Sequence, residues 1–382
     1  MSVHAFTRTE TNCIICIAVV GGCIPALQPL LLGGLLSAGK LSASQLGQAA
    51  MLEGLGMAAA ATLAGSFLKP VGLRRIMAVS ALVALSANVA TVLLGPLGLL
   101  LARAVNGAAC GMLLWLIVGL FARSETPARL FAIYVTAQAA LSFALSAIFA
   151  GYVLSRFGVS GSYLLLALIN ILLIFPVLGI PRTYALLSDT SRFLKPSAKG
   201  FAALWVLFLF LAGIMGFWVY VIPIGVERGF AQSDVSYAVS FAIALQIAGG
   251  FAAALLASRI DALLTTALAG LVCAAIIWVL TTTESLAVFF GAIGAFSFFW
   301  MFTPPFQMPF MIHIDPSRQS AMFLSSAQLL GVSLGPLICA FFVTANRFAG
   351  AATASMLLFV SSSILALTLV FLGRTKTPAP VV

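Results

Sequence analysis

The sequence predicts an all-α membrane protein with twelve transmembrane helices in two six-helix bundles, and three observations lead there. Of its 382 residues 62% are hydrophobic and 7% charged, with a mean hydropathy of +1.17; a soluble domain carries about a quarter of charged residues. The apolar residues run in near-continuous blocks of about 20, long enough for a helix to cross about 30 Å of hydrocarbon, and not in the alternating strands of about ten that build a barrel. The longest polar stretch, residues 181–200, falls after the sixth block.

In order, the first span is 11–34. The Met1–Arg8 stretch before it lacks a small-residue cleavage signature, so this block reads as a retained helix. Spans two to six are 46–68, 74–94, 97–121, 130–155 and 160–181, each bounded by charges, Gly, Pro or Ser-rich turns. The polar stretch with Arg182, Asp189, Arg192, Lys195 and Lys199 becomes a cytoplasmic linker, 183–199, between an N-terminal bundle, 1–182, and a C-terminal bundle, 200–382. The second bundle holds spans 200–223, 232–256, 262–281, 286–308, 320–344 and 350–372. The turn after the second span recurs in place around Ser258, Arg259 and Asp261, as two related bundles flanking a central path would require.

Lysine and arginine set the orientation. With the N-terminus inside, the cytoplasmic side receives Arg8, Lys69, Arg74, Arg75, Arg123, Arg129, Arg182, Arg192, Lys195, Lys199, Arg259, Arg318, Arg374 and Lys376, fourteen of the 19 basic residues. Lys40, Arg156, Arg228 and Arg347 fall outside, and Arg103 lies within a span. Such a bias predicts a multi-pass protein of a bacterial inner membrane with both termini cytoplasmic.

The net charge of +10 comes from basic residues scattered singly between apolar blocks, without the basic stripe or stacking platform of a nucleic-acid binder. Histidine occurs only at His4 and His313, and Cys13, Cys16, Cys23, Cys110, Cys273 and Cys339 all lie in apolar stretches. Cys13-x-x-Cys16 has no companion ligands and reads as packing. There is no G-x-S-x-G, H-E-x-x-H or Walker lysine loop. No enzyme activity, cofactor or metal is expected. The partners are the lipid bilayer, a small-molecule substrate and protons, and the chain is expected to be a monomer.

Glu53 and Arg103 are the ionisable residues well inside apolar spans, where an unpaired charge is strongly disfavoured. Both spans enter from the outer side, and at 1.5 Å per residue the two charges lie about 10 and about 9 Å in. They sit at nearly the same depth. Two readings stand: a titratable carboxylate coupled to transport with Arg103 as its partner or as an anion contact, or a static pair that fixes packing.

Amides are disfavoured in lipid unless partnered. They mark Gln28, between Pro25 and Pro29, and Gln138, Gln246, Gln307 and Gln328 as candidate substrate-binding residues, with the aromatics Tyr134 and Tyr220 beside them. In Thr303-Pro304-Pro305-Phe306-Gln307-Met308-Pro309 the prolines lack the N–H groups a helix needs, so the tenth span must bend or end there. Pro304 and Pro305 are thus a candidate gating hinge, or mark an early helix end.

Residues Gly65-Ser66-Phe67-Leu68-Lys69-Pro70-Val71-Gly72-Leu73-Arg74-Arg75 resemble the loop between helices 2 and 3 of the major facilitator superfamily, written G-x-x-x-D-R-x-G-x-R-R. Gly65, Gly72, Arg74 and Arg75 match in spacing, and Lys69 and Pro70 replace the acidic and basic residues. Leu99-x-x-x-Arg103-x-x-Asn106-Gly107 resembles the helix 4 pattern of proton-coupled exporters. The antiporter motif of helix 5 is absent from Ala137–Gly151, and a fragment of it, Gly331-Val332-Ser333-Leu334-Gly335-Pro336, stands in the eleventh span.

The resemblance implies the two-bundle fold, a gating role for Gly65, Lys69, Gly72, Arg74 and Arg75, and a proton-coupling role for Glu53 and Arg103. It also implies a central cavity lined by helices 1, 4, 7 and 10, which makes Trp115, Trp218 and Trp300 candidate walls. The implied function is secondary active transport by alternating access, and the one buried arginine with the several aromatics points to a small amphipathic or aromatic organic solute, anionic ones included. The alternative is a non-transporting receptor or scaffold on the same fold.

Overall fold

The computed structural model describes residues 6–121, 123, 127–184, 197–256, 259–316, 320–344 and 347–374, and these are helical throughout apart from turns and two isolated β-bridges. They divide into two compact units, Met1–Thr190 and Ser191–Val382. The predicted linker lies outside the described residues except for 183, 184 and 197–199.

In the first unit the helices are α1 (Arg8–Gly22), α2 (Ile24–Ser37), α3 (Ala43–Phe67), α4 (Leu73–Leu93), α5 (Pro96–Phe121), α6 (Pro127–Ile148), α7 (Leu154–Leu172) and α8 (Ile174–Gly179). Capping boxes start two of them: Thr7 with Glu10 for α1 and Ser42 with Gln45 for α3. Each cap satisfies backbone donors that a helix start leaves open. The predicted first span is a broken helix, interrupted at Cys23 where Pro25 follows within the first turn of α2. A π-helical turn, Phe149–Val153, joins α6 to α7. The helical run ends as a direction at Gly158, whose φ of 61° and ψ of −169° turn the chain, at the place where the fifth and sixth predicted spans meet.

The second unit holds α9 (Ala198–Glu227), α10 (Gln232–Leu256), α11 (Ala262–Thr282), α12 (Leu286–Phe302), α13 (Pro304–Ile314), α14 (Leu324–Ala340) and α15 (Ala349–Arg374). Here α12 and α13 meet at a bend of 44° around Thr303. The helix thus resumes at the prolines instead of ending there, because Pro304 and Pro305 take the first-turn positions, where a missing N–H costs nothing.

Close packing follows the small residues. α3 lies along α5, with β-carbon positions of Gly107 and Gly111 directly on the backbone oxygens of Glu53 and Met57, and that of Gly56 on Ala104 O. Any side chain at these positions would push the helices apart. In the second unit Gly331 and Gly335, the antiporter-like fragment, press α14 onto Phe208 O and Ala212 O of α9 in the same manner. Among the described residues eight helical stretches are long and apolar enough to cross a membrane, or nine when α12 and α13 count as one bent span. The chain is a multi-pass helical membrane protein.

Candidate functional site

Because Gly107 and Gly111 bring α5 onto α3, side chains one turn away on each helix meet at short range. Glu53 and Arg103 do so: Arg103 Nη1 donates to Glu53 Oε1 at 3.1 Å, with Arg103 fully buried and Glu53 only 2% exposed. Asn106, three residues after Arg103 and so on the same helix face, donates through Nδ2 to the same oxygen at 2.8 Å. Gln28 of α2 donates through Nε2 to Glu53 Oε2 at 3.3 Å.

The arginine has a second set of partners. Its Nη2 donates to Ala87 O at 3.2 Å, to Asn88 Oδ1 at 3.1 Å and to Thr91 Oγ1, all on α4. Its guanidinium lies 4.7 Å from the ring centroid of Tyr163 on α7. Five helices of the first unit therefore converge on one ion pair. In such an apolar setting a charge is stable only when its partners are in place. Gln28 Oε1, Asn88 Nδ2, Asn106 Oδ1, Arg103 Nε and the Tyr163 hydroxyl are buried without a hydrogen bond, so the cluster keeps unused polar capacity.

Asn88, Thr91, Tyr163 and Asn106 are members that the sequence reading does not assign. A signal exists for three of them, since Asn106 stands in the helix 4 pattern with Arg103, and Asn88 and Thr91 are polar residues one turn apart inside an apolar span. Tyr163 carries no such signal, because its role depends on α7 packing against α4.

The other candidates fall in several places. Trp115 is buried in the core of the first unit, in one cluster with Ile14, Ile17 and Leu116. Tyr134 and Gln138 of α6 both close on Gly22 of α1, where a β-carbon would meet the Tyr134 hydroxyl and Gln138 Oε1. In the second unit Trp218 is fully buried and its ring lies 5.4 Å from that of half-buried Trp300 at 69°. Tyr220 is buried against Phe348 with ring centroids 6.3 Å apart. Gln328 Nε2 donates to Gln307 Oε1 at 2.7 Å, joining α14 to α13. Gln246 and Gln307 are buried, and each has an Nε2 without a hydrogen bond.

The turn after α3 is tied to the chain that follows α8. Gly72 adopts φ 69°, which a glycine reaches without strain, and starts α4. Leu73 N donates to Arg182 O, Tyr184 N to Pro70 O and Arg74 Nε to Ile180 O at 2.7 Å, with Val71 and Thr183 forming an antiparallel bridge. Tyr184 is the bolt of this clip: its hydroxyl donates to Leu116 O at 3.1 Å, Arg123 lies over its ring, and Phe6 meets the ring edge. Burial pushes its phenol above the usual range, so the hydroxyl stays a donor. Gly65, Lys69 and Arg75 are exposed around this clip.

Among the described residues no group of three or more His, Cys, Asp or Glu could hold a metal ion. Residues 13–338 match the family described as Major Facilitator Superfamily. A comparison with curated proteins gives no significant match. Among solved structures, the chain is similar to a bacterial homolog of the human lysosomal transporter Spinster in an inward-facing and occupied conformation, with a TM-score of 0.60, 16% identity and 97% of each chain covered. The unoccupied form of that homolog gives a TM-score of 0.61 at 15% identity, covering 98% of this chain and 100% of that one. The nucleoside transporter NupG, in a point-mutant form, gives a TM-score of 0.68 at 12% identity, covering 97% of this chain and 100% of that one. At such identities the likeness is one of fold.

Proposed function

Since this chain belongs to the major facilitator superfamily, a family of transporters and not of enzymes, we propose that it is a proton-coupled secondary transporter of a small amphipathic or aromatic organic solute. We place it in a bacterial inner membrane with both termini cytoplasmic, following its basic residues. Twelve spans in two halves fit the helices: the nine counted by length and apolarity, the more polar α3, the shorter α14, and one more when residues 133–179 divide at Gly158. The pairings support related halves. The second span lies along the fourth in each (α3 with α5, α10 with α12), and the third along the sixth (α4 with α7, α11 with α15).

The observation that carries the reading is the buried Glu53–Arg103 pair with partners on both sides. When Glu53 takes a proton, Arg103 keeps Ala87 O, Asn88 Oδ1, Thr91 Oγ1 and the Tyr163 ring, so its charge remains held. A purely static pair needs no such reserve. The α3 and α5 backbones are locked at Gly107 and Gly111, so exchange works through side-chain rotation and through α2, which packs more sparsely on α3 and brings Gln28. A ligand that draws Gln28 away takes one donor from Glu53, which ties ligand binding to the ion pair. In the second unit half-buried Trp300 and Gln328 supply aromatic and amide surface for the solute, backed by the buried Trp218 and Gln307.

The test is uptake into proteoliposomes under an imposed pH gradient, with a substrate found by thermal-shift screening. Glu53→Gln keeps counterflow and loses gradient-driven accumulation if Glu53 carries the proton. Full accumulation by this variant would return the pair to a packing role.

A further inference from the structure

The outer surface of α4, where it meets α3 and α5, carries two adjoining clefts, about 560 Å³ towards the 65–75 turn and about 440 Å³ towards the other end. They share Val79, Val83 and Val105, so they form one apolar trough. Ala60, Ala108 and Ala109 line it, as does Ser80, whose hydroxyl is already bonded to Ile76 O. Among the described residues the one charged group lining the 65–75 end is Arg75.

Arg75 stands apart from its neighbour. Arg74 is spent on Ile180 O, whereas the exposed side chains of Arg75, Lys69 and Arg182 make no hydrogen bond or ion pair with another described residue. The bond from Leu73 N to Arg182 O keeps Arg182 beside this mouth. A membrane-embedded trough, apolar along its length and cationic at one end, has the polarity of a phospholipid.

We propose that this trough binds a phospholipid of net-negative headgroup, drawn from the leaflet at the 65–75 end, with an acyl chain in the larger cleft and the phosphate on Arg75. The chain gains little by leaving one apolar medium for another, so the walls fix its position by van der Waals contact. The headgroup supplies selectivity, because a guanidinium pairs with two phosphate oxygens at once and Lys69 and Arg182 add to the local potential. The site lies wholly within the first unit and needs no transport cycle.

Delipidated protein in detergent, given equal amounts of dioleoylphosphatidylglycerol and dioleoylphosphatidylcholine, is examined by native mass spectrometry for bound lipid. Phosphatidylglycerol is expected to be retained in preference. Arg75→Gln lowers that adduct about fivefold, the effect of one basic residue at a membrane surface. Arg259→Gln, an exposed basic residue of the other unit, leaves it unchanged. Val105→Trp, or Val83→Trp if the first does not fold, fills the trough without altering charge and lowers both lipid adducts alike. Equal retention of the two lipids by the unsubstituted protein, equal losses with Arg75→Gln and Arg259→Gln, or an intact adduct with the trough filled would overturn the proposal.

Discussion

The α-carbon of Gly107 lies so close to the carbonyl of Glu53 that a β-carbon there would overlap the oxygen. The glycine that follows the arginine by four positions thereby sets how near the arginine's helix comes to the acid, and the 3.1 Å ion pair depends on a contact in which neither charge takes part.

Gly107→Ala should therefore cost about 3 kcal/mol or more, since the obstacle is backbone and cannot rotate away. Gly250→Ala, on α10 with open space around its β-carbon position, should be neutral or stabilise by about 0.5–1 kcal/mol. Thermal unfolding in detergent compares them. Similar midpoints for the two variants would mean that α3 and α5 can separate without loss.

Arg103→Ala should destabilise more than Glu53→Gln. The first leaves a buried carboxylate facing only Asn106 and Gln28, at about 3–5 kcal/mol. The second keeps an acceptor for Arg103 and leaves the α4 partners intact, at about 1–3 kcal/mol. The double variant should be well more stable than the sum of the two losses implies, which thermal midpoints of all four proteins will measure.

Straightening the bend at Thr303 should lengthen one helix-to-helix distance. With spin labels at Val288 and His313, Pro304→Ala with Pro305→Ala should move the mean distance outward by about 2–3 Å, from the 1.5 Å rise of the two arms. An unchanged distance would show that packing holds the 44° angle, not the prolines.

The Tyr184 clip should contribute in two steps. Tyr184→Phe removes the bond to Leu116 O, about 0.5–1.5 kcal/mol. Tyr184→Ala also removes the ring beneath Arg123 and beside Phe6, and should cost about 3 kcal/mol or more. Equal midpoints for the two variants would assign the whole effect to the hydroxyl.

Orientation is open to a direct measurement. In a cysteine-free background, a cysteine at Lys40 or Arg156 should react with a membrane-impermeant thiol reagent in intact cells, and one at Lys199 only after permeabilisation. The reverse pattern would invert the topology argued from the basic residues.

The helix blocks were legible in the sequence because a bilayer demands long apolar runs, and that demand is one-dimensional. Boundaries such as Ala43–Phe67, Gln232–Leu256 and Ala262–Thr282 lie within a few residues of the apolar blocks read for them. Glu53 and Arg103 were legible too, since charges inside apolar runs stand out by composition alone. What they bond to was not. Asn88, Thr91 and Tyr163 join them only because α4 packs on α5 and α7 on α4, and Tyr184 finds Leu116 and Pro70 only once the chain after α8 returns to the turn after α3. A hydropathy pattern records what each segment demands of its solvent. Which segments become neighbours is decided by small-residue contacts such as Gly107 on Glu53, and those exist only between helices distant in sequence.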